Sequence, residues 1–519
     1  MTSAVALPLG AVPSSSVPSN AVPSNSGPAN TEAAPSVLTR RRLLGGAAVA
    51  AAAAVGGPIL WRRLSASTPE AGTQQGAAAR ALGAAAVRPP GSLPNPALPA
   101  GADTLPGIDN IVVLMMENHS FDNFFGMLGR GDGFSLDRSG RPKATNPLVD
   151  GRLQRAFHMP TTCQLPSRPS NDWEASHNAY NGGRMNGFAR TAIGPGSTEI
   201  VGSVAMGYWT GADLPFTYAL ARHFPIADRW FSSVMADTDP NRRYLIAGTS
   251  AGMTSDVGTG AGNAIANSEL TIPLPEGTVF DLLSEHGISW LNYVESWPLG
   301  ATPNLYPVND GAIETANMRS FGQFFADAAG GKLPAFTLLD PNYSTQSQEN
   351  PQNIAVGEAM LAQVVNAVGS GPQWRRTLLV VAYDEHGGYY DHVPPPVALA
   401  PDSIPPMIQP GESPYDGFAR YGFRVPAFVV SPFARPGYVT HVLHDHTSVL
   451  AMVERKWNLP ALTYRDANAR DLTDFLDMAA LRAGRPTFPT LPKLPPAGDT
   501  KAALACSTTG PGAIPPAGQ

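Results

Sequence analysis

A mostly apolar segment that ends abruptly in polar residues constrains the fold more than any other feature of the chain. Residues 108–116 read IDNIVVLMM and lead directly into Glu117, Asn118 and His119. A short apolar run that is followed by turn-forming residues predicts a buried strand of a central sheet. Polar groups that follow such a strand lie at the carboxyl edge of the sheet, where open α/β folds bind their ligands.

The polar residues at this junction have two interpretations. Glu117 and Asn118 both offer oxygen atoms, which suit a hard divalent cation. Alternatively, Asn118 and Ser120 cap a helix that follows the strand. The junction alone leaves both interpretations open.

A second apolar segment ends in the same way. Residues 377–383, TLLVVAY, are followed by Asp384, Glu385 and His386. Adjacent carboxylates repel each other unless a cation or a basic group lies between them. If the two segments are strands of one sheet, the polar residues that follow them would converge on one metal ion. A surface acidic turn is the alternative for this segment taken alone.

The segment 237–244, DTDPNRRY, places a hydroxyl at the predicted start of a helix. Pro240 suits the first turn of a helix, with Thr238 or Asp239 at the cap. Free backbone N–H groups and the helix dipole favour an anion there, which makes the Thr238 hydroxyl a candidate nucleophile for phosphoryl transfer. Arg242 is a candidate for bidentate binding of phosphate oxygens. A plain helix cap is the alternative.

Two further segments carry candidate site residues. Segment 440–450, THVLHDHTSVL, contains three histidines, and His446 lies just before a predicted helix, where its ring could transfer a proton. A zinc site and exposed histidines without a role are the alternatives.

Residues 172–183 mix aromatic and amide groups, and Trp173 or Tyr180 could stack on a cationic head group. An ordinary loop is the alternative for that segment.

Composition limits the class of protein. The chain has 519 residues, a net charge of −6 and 15% charged residues, which argues against nucleic-acid binding. Two cysteines, Cys163 and Cys506, are too few for a disulfide scaffold or a cysteine-based metal cluster, and the sequence does not reveal whether they pair.

Composition also divides the chain into segments. Residues 1–38 and 489–519 are predicted to be a disordered N-terminal extension and a disordered Pro/Gly-rich tail. Residues 64–104 are predicted to be an Ala/Pro/Gly linker, and residues 105–488 the folded domain.

Residues 39–63 look like a twin-arginine export signal. Three consecutive arginines, residues 40–42, precede an uncharged, Ala-rich run at 45–60. This run has about the length of a secretory core and is short for a transmembrane helix. We expect export by the twin-arginine pathway to a secreted or cell-envelope location, with retention as a membrane anchor as the alternative.

Predicted strands alternate with predicted helices through residues 105–488, which indicates a layered α/β domain with a mainly parallel sheet. The predicted strands are residues 108–116, 335–339, 377–383 and 425–430. The predicted helices are residues 213–224, 278–286, 355–368 and 447–457.

Five segments, in this order, resemble the bacterial phosphoesterase family of phosphatidylcholine-type phospholipases C and related acid phosphatases. They are residues 108–126, 172–188, 206–249, 384–396 and 424–450. The resemblance implies an alkaline-phosphatase-like three-layer α/β sandwich with a central, mainly parallel sheet. It also implies that residues 105–488 are a phosphoesterase catalytic domain, which hydrolyses phosphate esters by a hydroxyl nucleophile beside one divalent metal ion, with Ca, Zn, Mg and Fe all open.

The resemblance also implies roles for individual residues. The metal ligands would be Glu117, Asn118, Thr238, Asp384 and Glu385. The catalytic residues would be Thr238 as nucleophile with His446 and His386, and the residues near the substrate would be Asn118, His177, Arg242, His392 and Trp173. The chain departs from many relatives at two positions, where Asn171 and Asn350 stand in place of histidines.

The expected function is that of a phospholipase C, which would release diacylglycerol and a phosphorylated head group through a phosphothreonine intermediate. An acid phosphatase or broad phosphomonoesterase is the alternative, and a noncatalytic surface binding protein on the same fold is an alternative of another class. The expected partners are a phospholipid or other phosphate ester and a membrane surface, without nucleic acid. The oligomeric state stays unknown at this point.

Overall fold

The two apolar segments are adjacent strands at the centre of the sheet. In the computed structural model, β1 (Asn110–Met116) pairs in parallel with β10 (Thr377–Tyr383). Every residue of both strands is buried. Because the side chains of a strand alternate between the two faces of the sheet, both faces must be covered by other elements.

The structure describes residues 86–165, 169–191, 199–256, 274, 277–294, 316–498, 506 and 511–518. All of them belong to one compact unit, residues 67–519. The predicted N-terminal extension 1–38 and the predicted export segment 39–63 lie outside the described residues.

An eight-stranded sheet organises this unit. Besides β1 and β10 it contains β6 (Ile226–Ala227), β7 (Trp290–Val294), β8 (Met318–Ser320), β9 (Phe336–Asp340), β11 (Ala427–Val430) and β12 (Val439–Thr440). The strand order is β12-β6-β11-β10-β1-β9-β7-β8. Only β11 runs antiparallel to its neighbours, β10 and β6, within this sheet of the described chain. Two small sheets pair β2 (Thr145–Pro147) with β3 (Leu153–Arg155), and β4 (Phe157–His158) with β5 (Gly207–Tyr208).

Helices connect and cover the strands. In chain order they are α1 (Phe121–Phe125), α2 (Trp173–Tyr180), α3 (Phe188–Thr191), α4 (Glu199–Val204), α5 (Pro215–His223), α6 (Thr238–Ala247), α7 (Val279–Glu285), α8 (Phe321–Gly330), α9 (Tyr343–Gln346), α10 (Ile354–Ser370), α11 (Thr447–Trp457), α12 (Tyr464–Asn468) and α13 (Met478–Arg482). Short 3₁₀ helices lie at Asn181–Gly183, Trp374–Arg376 and Leu472–Phe475. The predicted α/β fold with a central, mainly parallel sheet is confirmed.

The strands and helices predicted from periodicity lie where they were expected. Residues 377–383 and 447–457 match β10 and α11 at both ends, and the other six predicted elements differ by at most two residues at either end. Among the described residues, no helix combines the length and the apolar character that crossing a bilayer requires.

The described residues on both sides of the predicted catalytic domain pack against it. Thr104 N–H donates a hydrogen bond to Lys456 O at 2.8 Å. Leu491 and Leu494 pack against the core, and Cys506 forms a disulfide with Cys163. The prediction of a linker and a disordered tail rested on Pro- and Gly-rich composition. Composition alone does not show that a few apolar side chains and a disulfide attach these segments to the domain.

We expect the disulfide to contribute to stability, because it joins residues 343 positions apart and so restricts the unfolded chain. Cys506→Ser should lower the free energy of unfolding by about 2–4 kcal/mol, as measured by urea titration under oxidising conditions. With reductant present, the wild type and the variant should unfold at the same urea concentration. Equal stability under oxidising conditions would contradict the prediction.

Candidate active site

The ends of β1 and β10 lie at the same level, so the polar residues that follow them are neighbours. Asp384 N–H donates to Met116 O at 3.0 Å, and Asn118 Nδ2 donates to Glu385 Oε1 at 2.6 Å. Gly387 permits this close approach, because its φ is +62° and an added Cβ would lie 2.3 Å from the backbone oxygen of Asn118. Strand pairing therefore brings the two predicted pairs of ligands together.

Four carboxylates are buried at this edge of the sheet. Each is at most 2% exposed, and they belong to Glu117, Asp340, Asp384 and Glu385. One guanidinium lies among them, since Arg242 Nη2 is 3.2 Å from Glu117 Oε1 and Nη1 is 3.5 Å from Asp340 Oδ1. Arg242 Nε lies 3.5 Å from Asp384 Oδ2. Arg242 thus contacts carboxylates, where a phosphate contact was predicted, and it offsets one of four negative charges.

The donor atoms of this group fit a divalent cation. Asp384 Oδ2 and Asn118 Oδ1 are buried and lack a hydrogen-bond donor among the described residues. Burial and the neighbouring Glu117 carboxylate raise the pKa of Asp384 well above its ordinary value, against the opposing effect of Arg242. Unpaired buried charge is costly, and oxygen ligands are those that Ca²⁺ and Mg²⁺ prefer. A cation bound here would stabilise the ionised carboxylates.

Hydrogen-bond donors surround the Glu385 carboxylate. Its Oε1 accepts from Asn118 and, at 2.8 Å, from Asn171 Nδ2. Its Oε2 accepts from Gly387 N–H at 2.7 Å and lies 3.2 Å from His386 Nδ1. Asn171 is therefore a site residue that was not among the predicted ones. The one indication in the sequence that Asn171 belongs to the site was that many relatives have a histidine at this position.

Asp340 is a second site residue that was not predicted. It ends β9, the parallel neighbour of β1, so its carboxylate reaches the same edge of the sheet as Glu117. The signal was present, because an acidic residue follows the apolar strand predicted at 335–339.

Thr238 begins α6, as predicted, and is 6% exposed. Arg242 lies four residues further on, on the same face of the helix. Because Arg242 contacts Glu117 and Asp384, this face of α6 is turned toward the carboxylates. The Asn241 amide bonds to the backbone of the turn before α6, at Val234, Ala236 and Asp237, which holds Thr238 in place.

The start of α6 offers fewer free backbone donors than the sequence predicted. Asp239 N–H donates to Asp256 Oδ1 at 2.8 Å, and Pro240 has no N–H group. A cation held by the carboxylates, more than the helix terminus, would therefore have to stabilise the charge of a bound phosphate.

The two predicted catalytic histidines differ in their surroundings. His446 Nε2 donates to Asp384 O at 2.6 Å, and its Nδ1 accepts from Trp230 Nε1 at 3.4 Å. Burial lowers the pKa of His446 to about 4. Proton donation by His446 would therefore require one of these bonds to break. His386 Nε2 is buried without a hydrogen-bond partner among the described residues, so this nitrogen is available to carry a proton.

Trp173 and His177 lie on α2, beside the turn that precedes Thr238. Trp173 is fully buried and packs against Val234 and Ala236, so its ring is not available to stack on a head group. His177 Nδ1 bonds to Trp173 O at 2.7 Å, and its ring stacks on Tyr415 with the centroids 4.0 Å apart. Burial lowers the pKa of His177. The contacts of Trp173 therefore support the Thr238 turn, and those of His177 hold α2 against Tyr415.

His392 belongs to a separate charged cluster. Ligand atoms of Asp122, Asp391 and His392 lie within 4.8 Å of one another, which is a geometry that could hold a metal ion. Arg424 already bonds to Asp122 Oδ1 at 3.0 Å and to Asp391 Oδ1 at 2.9 Å. Burial opposes the charge of His392, yet Asp122 and Asp391 raise its pKa to about 9. A third carboxylate, of Asp132, lies 3.3 Å from His392 Nε2 and 2.8 Å from Arg229 Nη2, so three cations balance three carboxylates without a metal.

Comparison with known proteins identifies the family. Residues 108–460 match the model of the Phosphoesterase family. This span covers more than half of the chain, which therefore belongs to the phosphoesterase family. The prediction of a hydrolase that acts on phosphate esters is confirmed.

Relatives of this chain include phospholipases C. Non-specific phospholipase C1 of Arabidopsis thaliana is 31% identical over 401 residues, 69% of this chain and 69% of the relative. Phospholipase C A of Mycobacterium tuberculosis (strain ATCC 25618 / H37Rv) is 30% identical over 428 residues, 73% of this chain and 80% of the relative. A solved alkaline phosphatase superfamily structure from Vibrio parahaemolyticus aligns over 78% of each chain, with a TM-score of 0.37 and 12% identity.

We expect Asn171 to orient Glu385 for cation binding. Asn171→Ala removes one of two amide donors to Glu385 Oε1 and should weaken metal binding about 10–100-fold, as measured by isothermal titration calorimetry. Asn171→His, which introduces the residue of many relatives, should restore part of the affinity. Asn178→Ala, on the exposed side of α2, is the matched control. Unchanged affinity in Asn171→Ala would show that the contact with Glu385 is incidental.

Proposed function

We propose that this phosphoesterase is an exported, metal-dependent phospholipase C that hydrolyses phosphatidylcholine-like lipids. The supporting observation is the group of four buried carboxylates, among which Arg242 of α6 is the one guanidinium in the described part of the chain. A divalent cation would be held by Glu117, Asn118, Thr238, Asp384 and Glu385. It would supply Lewis-acid activation of the nucleophile and offset the charge of the phosphate. Two relatives that bear the name phospholipase C support a lipid phosphodiester as the substrate.

Thr238 is the proposed nucleophile. Its Oγ1 attacks phosphorus on the side opposite the leaving alcohol, so an Oγ1–P bond forms while the bond from phosphorus to the diacylglycerol oxygen breaks. Water then attacks the phosphothreonine in line, which releases the phosphorylated head group and restores the hydroxyl. Asn241 and the packing of Trp173 against the preceding turn keep the hydroxyl in position for both steps.

His386 is the proposed proton donor to the leaving oxygen. Its Nδ1 lies 3.2 Å from Glu385 Oε2, so the carboxylate orients the ring and leaves Nε2 to carry the proton. His446 has a supporting role, because its Nε2–H holds the backbone carbonyl of Asp384 and a pKa of about 4 keeps the ring neutral. Arg242 draws the first turn of α6 onto the carboxylates.

Two observations support export. The paired arginines at 39–63 have the pattern of a twin-arginine signal. The disulfide between Cys163 and Cys506 is a feature of oxidising compartments outside the cytoplasm. The twin-arginine pathway carries folded proteins, which suits an enzyme whose buried site would be loaded with metal before export.

A substrate panel tests the proposed reaction. The purified chain is assayed on a choline phosphodiester and on a simple phosphomonoester, with and without a chelator. We expect turnover of the diester, loss of at least about 100-fold on chelation, and recovery when a divalent cation is added back. Turnover of the monoester alone would identify a phosphomonoesterase instead. The absence of turnover on either substrate would favour a noncatalytic binding protein.

The nucleophile is tested by substitution of Thr238. Thr238→Ala should lower kcat about 1,000-fold or more, because removing one member of a catalytic unit disables the unit. Thr238→Ser keeps a hydroxyl and should retain measurable turnover, with a phosphoserine that quenching and mass spectrometry detect. Thr473→Ala, in the 3₁₀ helix Leu472–Phe475, is the matched control. Near wild-type turnover in Thr238→Ala would rule out this nucleophile.

A further inference from the structure

Exposed apolar side chains are concentrated on one segment of the surface. Five large hydrophobic side chains are exposed in the described part of the chain, and three of them lie within residues 135–155. These are Leu136, Val149 and Leu153, with exposures of 43%, 69% and 51%. Single exposed apolar residues are normal on a protein surface, but three in one short segment mark a surface that meets an apolar partner.

The local structure explains why these side chains point outward. β2 and β3 pair as an antiparallel hairpin, with Pro147 opposite Leu153. Gly151 N–H donates to Leu148 O at 3.0 Å, which closes the turn and places Val149 at its tip. Gln154 is buried, so Leu153 before it faces the opposite, outer side of the strand. Residues 135–155 are called the basic hairpin below.

The basic hairpin has a charge opposite to that of the whole chain. It contains five basic residues against two acidic ones, a net charge of +3, whereas the chain carries −6. Both acidic residues are paired within the hairpin, since Asp137 lies 2.6 Å from Arg155 and Asp150 lies 2.5 Å from Arg152. The exposed basic side chains are Arg138, Arg141, Lys143 and Arg152.

The buried side of the hairpin connects it to the candidate active site. Asn146 Nδ2 donates to Met185 O at 2.8 Å, and its Oδ1 accepts from Ala189 N–H at 3.2 Å. Phe188, next to Ala189 on α3, contacts the ring of His386 with the centroids 6.0 Å apart. The hairpin is therefore one helix away from the carboxyl edge of the sheet.

We propose that the basic hairpin docks the protein on an anionic lipid bilayer, with Val149 and Leu153 entering the interface and the basic side chains meeting lipid phosphates. An apolar tip with a basic rim is the arrangement by which proteins bind anionic membrane surfaces. This inference rests on the proposed function and deepens it, because it explains how a buried phosphoesterase site would be brought to substrate in a membrane.

Vesicle sedimentation tests the docking without reference to catalysis. The full-length chain is mixed, with chelator present, with vesicles of phosphatidylcholine alone or of equimolar phosphatidylcholine and phosphatidylglycerol. We expect binding to the anionic vesicles that weakens as salt is raised. The double variant Val149→Asp/Leu153→Asp should lower the partition coefficient at least about tenfold. Leu98→Asp, an exposed apolar residue outside the hairpin, is the matched control and should bind like the wild type.

A separate double variant tests the basic side chains of the hairpin. Arg138→Glu/Lys143→Glu should remove most of the salt-sensitive part of binding. Arg482→Glu/Arg485→Glu, which changes two exposed residues at and just after the end of α13, should not. Val149→Trp gives a local measurement, because its fluorescence should be quenched by brominated lipid while that of Leu98→Trp should not. Wild-type sedimentation of the aspartate double variant, or no quenching of Val149→Trp, would overturn the proposal.

Activity assays separate this inference from the proposed function. The aspartate double variant should turn over a soluble choline phosphodiester at the wild-type rate, which also shows that it is folded, and should hydrolyse vesicle phosphatidylcholine about tenfold more slowly. If the wild type hydrolyses no choline phosphodiester, the proposed function is wrong. The vesicle-binding assay still tests whether the basic hairpin binds an anionic bilayer. The proposal would also be overturned if the wild type did not bind vesicles but formed dimers that the hairpin substitutions disrupt. That result would assign the surface to contact with a second copy of the chain.

Discussion

The parallel pairing of β1 with β10 is the constraint on which the site depends. Acidic residues directly follow both strands, and the pairing places the strand ends at one level, so like charges meet in a buried position. β9 adds Asp340 at the same edge. Such a concentration of charge is unfavourable without compensation. Arg242 supplies part of it from the face of α6 that also carries Thr238, and a divalent cation would supply the remainder.

A second set of buried charges shows what a balanced arrangement looks like. Asp122 and Asp391 are bridged by Arg424 and accompanied by His392, whose pKa is raised to about 9, so charges of opposite sign are equal in number. In the described part of the chain, the cluster around Asp384 has four carboxylates and one guanidinium. The difference indicates that the set around Asp122 and Asp391 is structural, and it supports our proposal that the set around Asp384 holds a cation.

The two asparagines that depart from the family pattern have different consequences. Asn171 bonds directly to Glu385 and so belongs to the site, whereas Asn350 bonds to Leu165 and Tyr389. An amide N–H can donate to a carboxylate at any pH. A histidine N–H can do so as well, but its ring can in addition gain a second proton and a positive charge. The exchange at position 171 therefore bears on how Glu385 is held, and the exchange at position 350 bears on loop packing.

The sequence by itself determined the α/β class, most bounds of the long elements, and the two acidic strand ends, because each follows from periodicity or from residue type at a local junction. The tertiary structure alone decided which distant residues meet. Asn171 contacts Glu385 across 214 positions and Cys163 pairs with Cys506 across 343. Arg242 turned out to bind carboxylates and not an open phosphate site. Local patterns record which face of an element is apolar, but they carry no information about which elements lie side by side.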